Sequence, residues 1–377
     1  MKILSNKAAV KKLTSFIPKD IKNLAISFNM AGFDLFLVGG CIRDVFLNKT
    51  PKDFDVATNA NPNQVKNILK NNNIDFQEQG VDFGVVVAKL SDDVEIATFR
   101  TEIASGNGNG HDTNVKIGCT IEEDVQRRDL TINGLFFNMS TNTIVDLVGG
   151  INDLKNNIIR TIGNPNGRFN EDNLRKLRAI RFASRLNFTI EKNTFDAIVN
   201  DTSLNISKER IFEELKNAFN KKHSLQLLVD LLIDSKLANE IFEFEKKSMH
   251  CWFNDITFDE FIFLFVQDKS INDINRILTK NKILSSIDVC LFFKDLQTLL
   301  INNDVIDPMW FFKKKIQFHI DKINISNHTK IDWLMNFKPD KDLVQKLMKQ
   351  GFKNAELGKA IKEHNLNLFK NQFFKKI

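Results

Sequence analysis

Strand-forming patterns are confined to residues 33–147 of this 377-residue chain. Short apolar or alternating runs alternate there with Gly-, Asn- and Asp-containing turns, and two pairs of runs, 81–99 and 132–147, are predicted as hairpins. From about Asp153 onward, helical periodicity replaces the strand signals. The pattern therefore predicts an α+β fold, with a small mixed-sheet head followed by an all-α remainder. We expect four parts: a head (1–150), a helical neck (151–220), a helical body (221–300) and a basic helical tail (301–377).

Composition excludes several classes of protein. The chain is 42% hydrophobic and 27% charged, which is typical of a globular protein with a sizeable core. It has no apolar stretch of about 18 residues, and its first residues lack the apolar core of a leader peptide, so we expect a cytoplasmic protein without membrane contact. The four cysteines, at 41, 119, 251 and 290, contain no CxxC pair. This spacing argues against a zinc ribbon and against a disulfide framework.

The positive charge is concentrated at the C-terminal end. The whole chain carries +6, whereas residues 301–377 contain fifteen lysines and eight acidic residues and carry +7 by themselves. A basic segment of this kind indicates either a contact with a polyanion such as nucleic acid or a surface solvated by lysines. The run Phe311–Lys315 (FFKKK) is likewise compatible with RNA stacking or with a helix core flanked by lysine stems.

Two carboxylates predict a metal site. Asp53 and Asp55 lie two residues apart on a predicted strand, 53–57, so both side chains should project to one face. Paired hard oxygen ligands suit Mg²⁺, which completes its shell with substrate phosphates, and Glu95 is a possible third acid. Upstream, a strand runs into Gly39-Gly40 and a helix that carries Arg43, an arrangement that favours a phosphate group. Together these features indicate nucleotidyl transfer.

Four ordered motifs carry a resemblance to a known family. They are LVGGCIRDVFLNKTPKDFDVAT at 37–58, RRDLTING at 127–134, EDNLRKLRAIRF at 171–182 and SKERIFEEL at 207–215. In this order and spacing they resemble the class II tRNA nucleotidyltransferases and bacterial poly(A) polymerases. The resemblance covers about residues 30–220 and implies a catalytic head, then a neck, body and tail that hold the RNA acceptor end.

The resemblance also implies roles for individual residues. It assigns Asp53 and Asp55 to catalysis and to Mg²⁺. The residues it assigns to the nucleotide are Gly39, Gly40, Arg43 and Arg128 from the head and Asp172, Arg175, Arg178 and Arg181 from the neck. Asp172 and Arg175 lie three residues apart on a predicted helix, and their chemistry suits recognition of a base. Cytosine and adenine both present an amine donor beside a ring-nitrogen acceptor, which a carboxylate and a guanidinium can read.

The sequence says less about which enzyme of this family the chain resembles most. Residues Gln79–Leu90 (QGVDFGVVVAKL) resemble the strand of CCA-adding enzymes more than the basic segment of poly(A) polymerases. We therefore expect an enzyme that adds CCA to tRNA from CTP and ATP, with no protein partner evident. The predicted mobile loop 104–114 lacks the family's arginines, which leaves a CC-adding enzyme open. A poly(A) polymerase is the other alternative within the family. His111-Asp112 has the pattern of an HD phosphohydrolase pair, but no companion cluster of His and Asp accompanies it, so we assign it to the loop. A catalytically silent RNA-binding relative is the alternative from a different class.

Overall fold

The structure, a computed structural model, describes residues 3–4, 7–78, 84–104, 113–246, 257–283, 286, 290–291, 294 and 342–373. The aromatic and basic run 311–315, His111-Asp112, residues 79–83 and most of the predicted tail lie outside these residues. The chain divides into two compact units, one spanning Met1–Glu240 and the other beginning at Ile241. The expected division into head, neck, body and tail remains a prediction.

Twelve strands are present in the described residues. They are β1 Ile3–Leu4, β2 Leu35–Val38, β3 Val56–Thr58, β4 Phe76–Glu78, β5 Val85–Lys89, β6 Asp93–Thr98, β7 Arg100–Ala104, β8 Thr113–Ile117, β9 Leu135–Asn138, β10 Thr143–Asp146, β11 Ile158–Ile159 and β12 Thr189–Ile190. Eight of them form one sheet in the order β1-β10-β9-β2-β3-β6-β5-β4. The β3–β6 pair is parallel and the other neighbours in this sheet are antiparallel. The sheet is therefore mixed, as predicted.

The two predicted hairpins are β5–β6 and β9–β10. Lys89 pairs with Asp93 across a three-residue turn in the first, and Asn138 pairs with Thr143 in the second. The sheet is held by a cluster of aromatic side chains, in which the Phe36, Phe99 and Phe136 rings lie 5.5–6.2 Å apart. These rings fix β2, β9 and the end of β6 to one another.

Sixteen α-helices are present in the described residues. They are α1 Lys7–Phe16, α2 Lys19–Met30, α3 Gly40–Phe46, α4 Pro62–Asn71, α5 Ile121–Gln126, α6 Gly150–Lys155, α7 Pro165–Glu171, α8 Leu174–Leu186, α9 Lys192–Asn200, α10 Lys208–Lys221, α11 Leu225–Asp234, α12 Leu237–Phe242, α13 Phe258–Val266, α14 Ile271–Lys280, α15 Leu343–Lys349 and α16 Asn354–Phe373. Side-chain caps explain several starts. Asn61 and Gln64 form a reciprocal capping box at α4, whose first residue is Pro62, and Thr120 and Glu123 form another at α5.

Two local predictions are wrong. A two-stranded ribbon, β7–β8, joins residues 100–104 to 113–117, so the predicted loop 104–114 starts and ends inside strands. The segment between them, 105–112, lies outside the described residues. A short parallel pair, β11–β12, also occurs beyond residue 153, where only helices were predicted. Two-residue strands leave almost no periodic signal in a sequence.

The helical part of the first unit packs around α8. Nine of its thirteen residues are buried, and it contacts both α10 and α11. In the second unit, the Phe242 and Phe265 rings stack at 4.9 Å and Phe261 meets Phe265 edge-on. Within the described part of the chain, no helix combines the length and the hydropathy needed to span a bilayer. The predicted α+β architecture, a mixed-sheet head followed by helices, is confirmed.

Candidate active site

Three carboxylates, those of Asp53, Asp55 and Glu95, lie near the starts of β3 and β6. The parallel pairing puts Val56 opposite Ile96, so Asp55, just before β3, and Glu95 of β6 are neighbours. Burial raises the pKa of Asp55, and the negative charges of Glu95 and Asp53 raise it further against the opposing charge of Arg128. Crowded carboxylate oxygens of this kind are the donor set that a divalent cation neutralises, and they fit Mg²⁺.

The strand that carries these carboxylates begins later than predicted. β3 starts at Val56 rather than at Asp53, although the Asp55 carbonyl still accepts a 3.0 Å hydrogen bond from the Val38 N–H. Asp53 and Asp55 line a common acidic depression of about 350 Å³. No group of three or more His, Cys, Asp or Glu side chains among the described residues forms a ligand set by itself. A cation held by Asp53 and Asp55 would therefore take further ligands from substrate phosphates.

The Gly39-Gly40 turn connects β2 to α3. Gly39 has φ +66° and ψ −111°, a conformation that only glycine adopts without strain, and its N–H donates to the Leu135 carbonyl at 3.0 Å. Arg43, three residues into the helix, is only 4% exposed. Its Nη1 donates to Asn133 Oδ1 at 2.7 Å and its Nη2 to Asp44 Oδ1 at 2.9 Å. Arg43 is thus fixed in place by protein groups.

Arg128 is held in place by Asp124 and by the ring of Phe136. Its Nε and Nη2 donate to Asp124 Oδ2 at 3.1 and 3.0 Å, and its guanidinium lies 4.7 Å from the centre of the Phe136 ring. Burial works to raise the pKa of Asp124, but the Arg128 and Arg127 charges outweigh it and hold that pKa below its ordinary value. The anchored guanidinium therefore has a fixed direction.

Asp172 does not lie on a helix, which corrects the sequence-based prediction. α7 ends at Glu171 and α8 begins at Leu174, and Asp172 between them is extended, with φ −148° and ψ 107°. Its Oδ1 accepts from the Leu174 N–H at 3.0 Å and its Oδ2 from Arg210 Nη2 at 2.9 Å. Side chains that hydrogen-bond to nearby backbone amides break helices at such positions. Arg175 lies in the first turn of α8, where its Nη1 donates to Glu171 at 2.6 Å.

The next two arginines of α8 pair with acidic residues far away in the chain. Arg178 donates from Nε to Asp129 Oδ2 at 2.8 Å. Arg181 donates to Glu214 of α10, and both side chains of that pair are 9% exposed. The three guanidiniums of Arg43, Arg178 and Arg181 lie 4.4–5.7 Å from the centre of the Phe182 ring. The Arg178–Asp129 pair and the Arg43–Phe182 contact join α8 to the sheet-containing part, whereas the Arg181–Glu214 pair joins α8 to α10.

One cleft brings most of the predicted residues together. It has a volume of about 500 Å³ and lies within the first unit, between residues in the range 38–133 and residues in the range 172–210. Its lining includes eight predicted residues: Gly39, Gly40, Arg43, Asp55, Arg128, Asp172, Arg175 and Arg178. Asp53 and Arg181 are not part of this lining. A cavity of about 290 Å³ between α1, α2 and the β9–β10 hairpin contains none of the predicted residues.

The cleft also contains residues that the sequence-based assignment omitted. They are Val38, Arg127, Asp129, Asn133, Leu174, Phe182 and Arg210. Counting the whole lining, six arginines face three aspartates, an excess of three positive charges. The signal for Arg210 was present, because it is the fourth residue of SKERIFEEL and follows the helix-capping Ser207. Its partner Asp172, 38 residues earlier, cannot be identified from spacing alone.

Comparison with known families matches two parts of the chain. Residues 35–160 match the poly A polymerase head domain, and residues 187–248 match the probable RNA and SrmB-binding site of polymerase A. Poly(A) polymerase I of Salmonella typhi is 41% identical over 214 residues, which are 52% of this chain and 45% of that protein. The CCA-adding enzyme of Enterococcus faecalis is 42% identical over 206 residues, which are 53% of this chain and 49% of that protein. The chain thus spans about half the length of the curated relatives it matches.

Solved structures share the fold over nearly the whole chain. A CCA-adding enzyme in complex with CTP has a TM-score of 0.73 at 16% identity and covers 96% of this chain and 94% of its own. The Thermotoga maritima CCA-adding enzyme in complex with tRNA-CCA has a TM-score of 0.69 at 17% identity and covers 100% and 97%. At these identities the likeness concerns the fold, and it extends beyond the segments that match in sequence.

Proposed function

We propose that this chain, whose residues 35–160 and 187–248 match the two models, is a member of the family that contains the CCA-adding enzymes and the bacterial poly(A) polymerases, and that it adds CCA to the 3′ end of tRNA from CTP and ATP. The observation that carries the proposal is the composition of the cleft. Asp55 of the head and the pair Asp172 and Arg175 of the neck line the same 500 Å³ space. A nucleotide bound there would have its phosphates at the head and its base at the neck.

The charge of the cleft suits a nucleoside triphosphate. Its excess of three positive charges complements the polyphosphate, and the Asp124-anchored guanidinium of Arg128 is directed by two hydrogen bonds and a ring contact. Arg43 uses Nε, Nη1 and Nη2 for Asp44 and Asn133 and so supports the wall of the cleft. Arg178 pairs with Asp129 and ties α8 to the 127–134 segment. We assign phosphate binding chiefly to Arg128 and the Gly39-Gly40 turn. Arg178 and Arg181, predicted as nucleotide ligands, act in this proposal mainly to hold the neck.

Asp53 and Asp55 would hold Mg²⁺. When bound there, Mg²⁺ would supply the positive charge that favours ionisation of the RNA 3′-hydroxyl and stabilises the departing pyrophosphate. The protein's contribution is to hold the two carboxylates beside the cleft. By offering only oxygen ligands, it disfavours cations that prefer nitrogen or sulfur ligands. The RNA 3′-hydroxyl would lose its proton to solvent and its oxygen would bond to the α-phosphorus of the nucleotide. The bond from that phosphorus to the bridging oxygen would break, and pyrophosphate would leave with this oxygen.

Base choice would come from protein side chains. The Asp172 carboxylate can accept from the exocyclic amine of cytosine or adenine, while the Arg175 guanidinium donates to the adjacent ring nitrogen. Guanine and uracil present a carbonyl next to an N–H, which mismatches both groups. Each buried polar group left unpaired costs about 1–3 kcal/mol, enough for a selectivity of about 10- to 1000-fold.

Incorporation assays on different acceptors test the proposal. Each labelled nucleoside triphosphate is supplied, singly and in mixtures, to a tRNA transcript without CCA, to one without only the terminal A, and to an unstructured oligonucleotide. CCA addition requires C on the first transcript, A on the second, and no extension of the oligonucleotide. Incorporation that stops after CC on the first transcript, even with ATP present, makes this a CC-adding enzyme. RNA binding without any incorporation supports the silent relative.

Polyadenylation is the second candidate function. The observation that favours it is the 41% identity with poly(A) polymerase I, close to the 42% identity with the CCA-adding enzyme of Enterococcus faecalis. Long A tracts on every acceptor, including the oligonucleotide, would establish it. For either activity we propose a cytoplasmic location and no protein partner.

A further inference from the structure

The neck wall of the cleft contains an ion pair that neither the metal nor the phosphate site uses. Arg210 of α10 donates from Nη2 to Asp172 Oδ2 at 2.9 Å, and the two side chains are 24% and 18% exposed. The other carboxylate oxygen, Oδ1, accepts from the Leu174 N–H at 3.0 Å. Both oxygens of Asp172 are therefore fixed by donors in directions that the protein sets.

The position of Arg210 is set by the start of α10. Ser207 caps this helix and its Oγ accepts from the Arg210 N–H, so Arg210 lies in the first turn. One turn later, Glu214 pairs with Arg181 of α8. The two pairs have opposite polarity: α10 supplies the cation in the first and the anion in the second. Sliding α10 by one turn would bring Glu214 toward Asp172, so like charges oppose that register.

We propose that Arg210 is a positioning residue for base selection, an inference that rests on the proposed function. It fixes the Asp172 carboxylate so that the remaining lone pairs of this group point toward the amine of cytosine or adenine. A carboxylate offers about four lone-pair directions, and the Leu174 amide and Arg210 occupy two. Without Arg210, one hydrogen bond would hold the carboxylate, which could then turn away from the carbonyl oxygen of uracil or guanine and tolerate it.

Selectivity in Arg210→Gln tests this role. The measured quantity is the ratio of kcat/KM for CTP over UTP, and for ATP over GTP, on tRNA transcripts that lack CCA and that lack only A. Losing a charge-assisted hydrogen bond should lower both ratios by about tenfold, through a higher KM for CTP and ATP and with kcat changed less. Arg210→Lys should lose about threefold, since lysine keeps the charge but lacks the planar fork.

Arg160→Gln is the matched control. Arg160 is a part-buried arginine that pairs with Asp153 and Glu191 away from the cleft lining, so its loss tests the general effect of breaking a salt bridge. Its selectivity should equal that of the wild type. Thermal unfolding of every variant separates a loss of fold from a loss of selectivity.

The outcomes separate the two proposals. Selective incorporation by the wild type together with unchanged selectivity in folded Arg210→Gln overturns the positioning role and leaves the proposed function intact. Should Arg210→Gln not fold, unchanged selectivity in Arg210→Lys overturns it in the same way. A wild type that incorporates no nucleotide on any acceptor overturns the proposed function, and the role of Arg210 falls with it.

Discussion

The ion pair between Asp129 and Arg178 makes a quantitative prediction about how the head is fixed to the neck. Arg178 donates to Asp129 Oδ2 from Nε at 2.8 Å and approaches it from Nη2 at 2.6 Å, while Asn133 and the Leu130 N–H donate to the other oxygen at 3.2 and 2.7 Å. Burial works to raise the pKa of Asp129, but the Arg178 charge and these hydrogen bonds outweigh it. They lower the pKa from an ordinary 3.8 to about 2.

The size of the effect follows from these two pKa values. A difference between 3.8 unfolded and about 2 folded corresponds to about 2 kcal/mol of stability. Because the folded pKa is the lower one, the contribution is complete above about pH 5 and is lost as the pH falls toward 2. About half of it should remain at pH 3. Asp129→Asn removes the titrating group and should therefore cost about 2 kcal/mol at pH 7 and about half as much at pH 3.

Urea unfolding followed by far-UV circular dichroism measures this difference, and hydrogen exchange of the α8 amides places it in the neck. A double-mutant cycle with Arg178→Gln should give a coupling free energy above about 1 kcal/mol. Asp196→Asn is the control, because its pair with Lys192 is exposed on both sides and should contribute less than about 0.5 kcal/mol. A cost of Asp129→Asn that is equal at pH 7 and pH 3, or a coupling near zero, would refute the reasoning.

Three further sets of variants test the metal site, the base-reading pair and the glycine turn. Asp53→Asn and Asp55→Asn should each lower incorporation by at least about a hundredfold while tRNA binding in a filter assay stays within about twofold, because metal-ion charge stabilisation amounts to several kcal/mol; unchanged turnover would contradict the metal assignment. Asp172→Ala and Arg175→Ala should lower the preference for CTP and ATP over UTP and GTP by about 10- to 1000-fold in competition assays, and wild-type preference in both would contradict the base-reading role. Gly39→Ala should cost about 1–3 kcal/mol in urea unfolding, since φ at this residue is +66°, and an unchanged midpoint would contradict the strain assignment.

The local part of the site could be predicted from the sequence. An apolar run ending in Gly39-Gly40 and followed by helical spacing predicts β2, the turn and α3, which the structure contains. The start of α4 also has a local cause, since Asn61 and Gln64 cap it reciprocally around Pro62, and capping acts over three or four residues. The carboxylates were located only approximately: their strand begins at Val56 instead of Asp53, since the end of a strand has no comparable sequence signal.

Long-range pairing is what the sequence could not supply. Arg178 and Asp129 are 49 residues apart, and Arg181 and Glu214 are 33 apart. The spacing of α8 shows that its arginines share a face, but it does not show whether they meet phosphates or carboxylates. The break at Asp172 was missed for a related reason. A continuous helical pattern from 171 to 182 does not reveal that the carboxylate bonds to the Leu174 N–H and to Arg210.

Sequencing of RNA 3′ ends tests the central claim most directly. The chain is incubated with Mg²⁺, all four nucleoside triphosphates at equal concentration and a tRNA transcript that lacks CCA, and the products are sequenced. If protein side chains choose the bases, products should end in CCA and stop there, without U or G. Products that contain U or G at the added positions, or that carry long A tracts, would contradict the account.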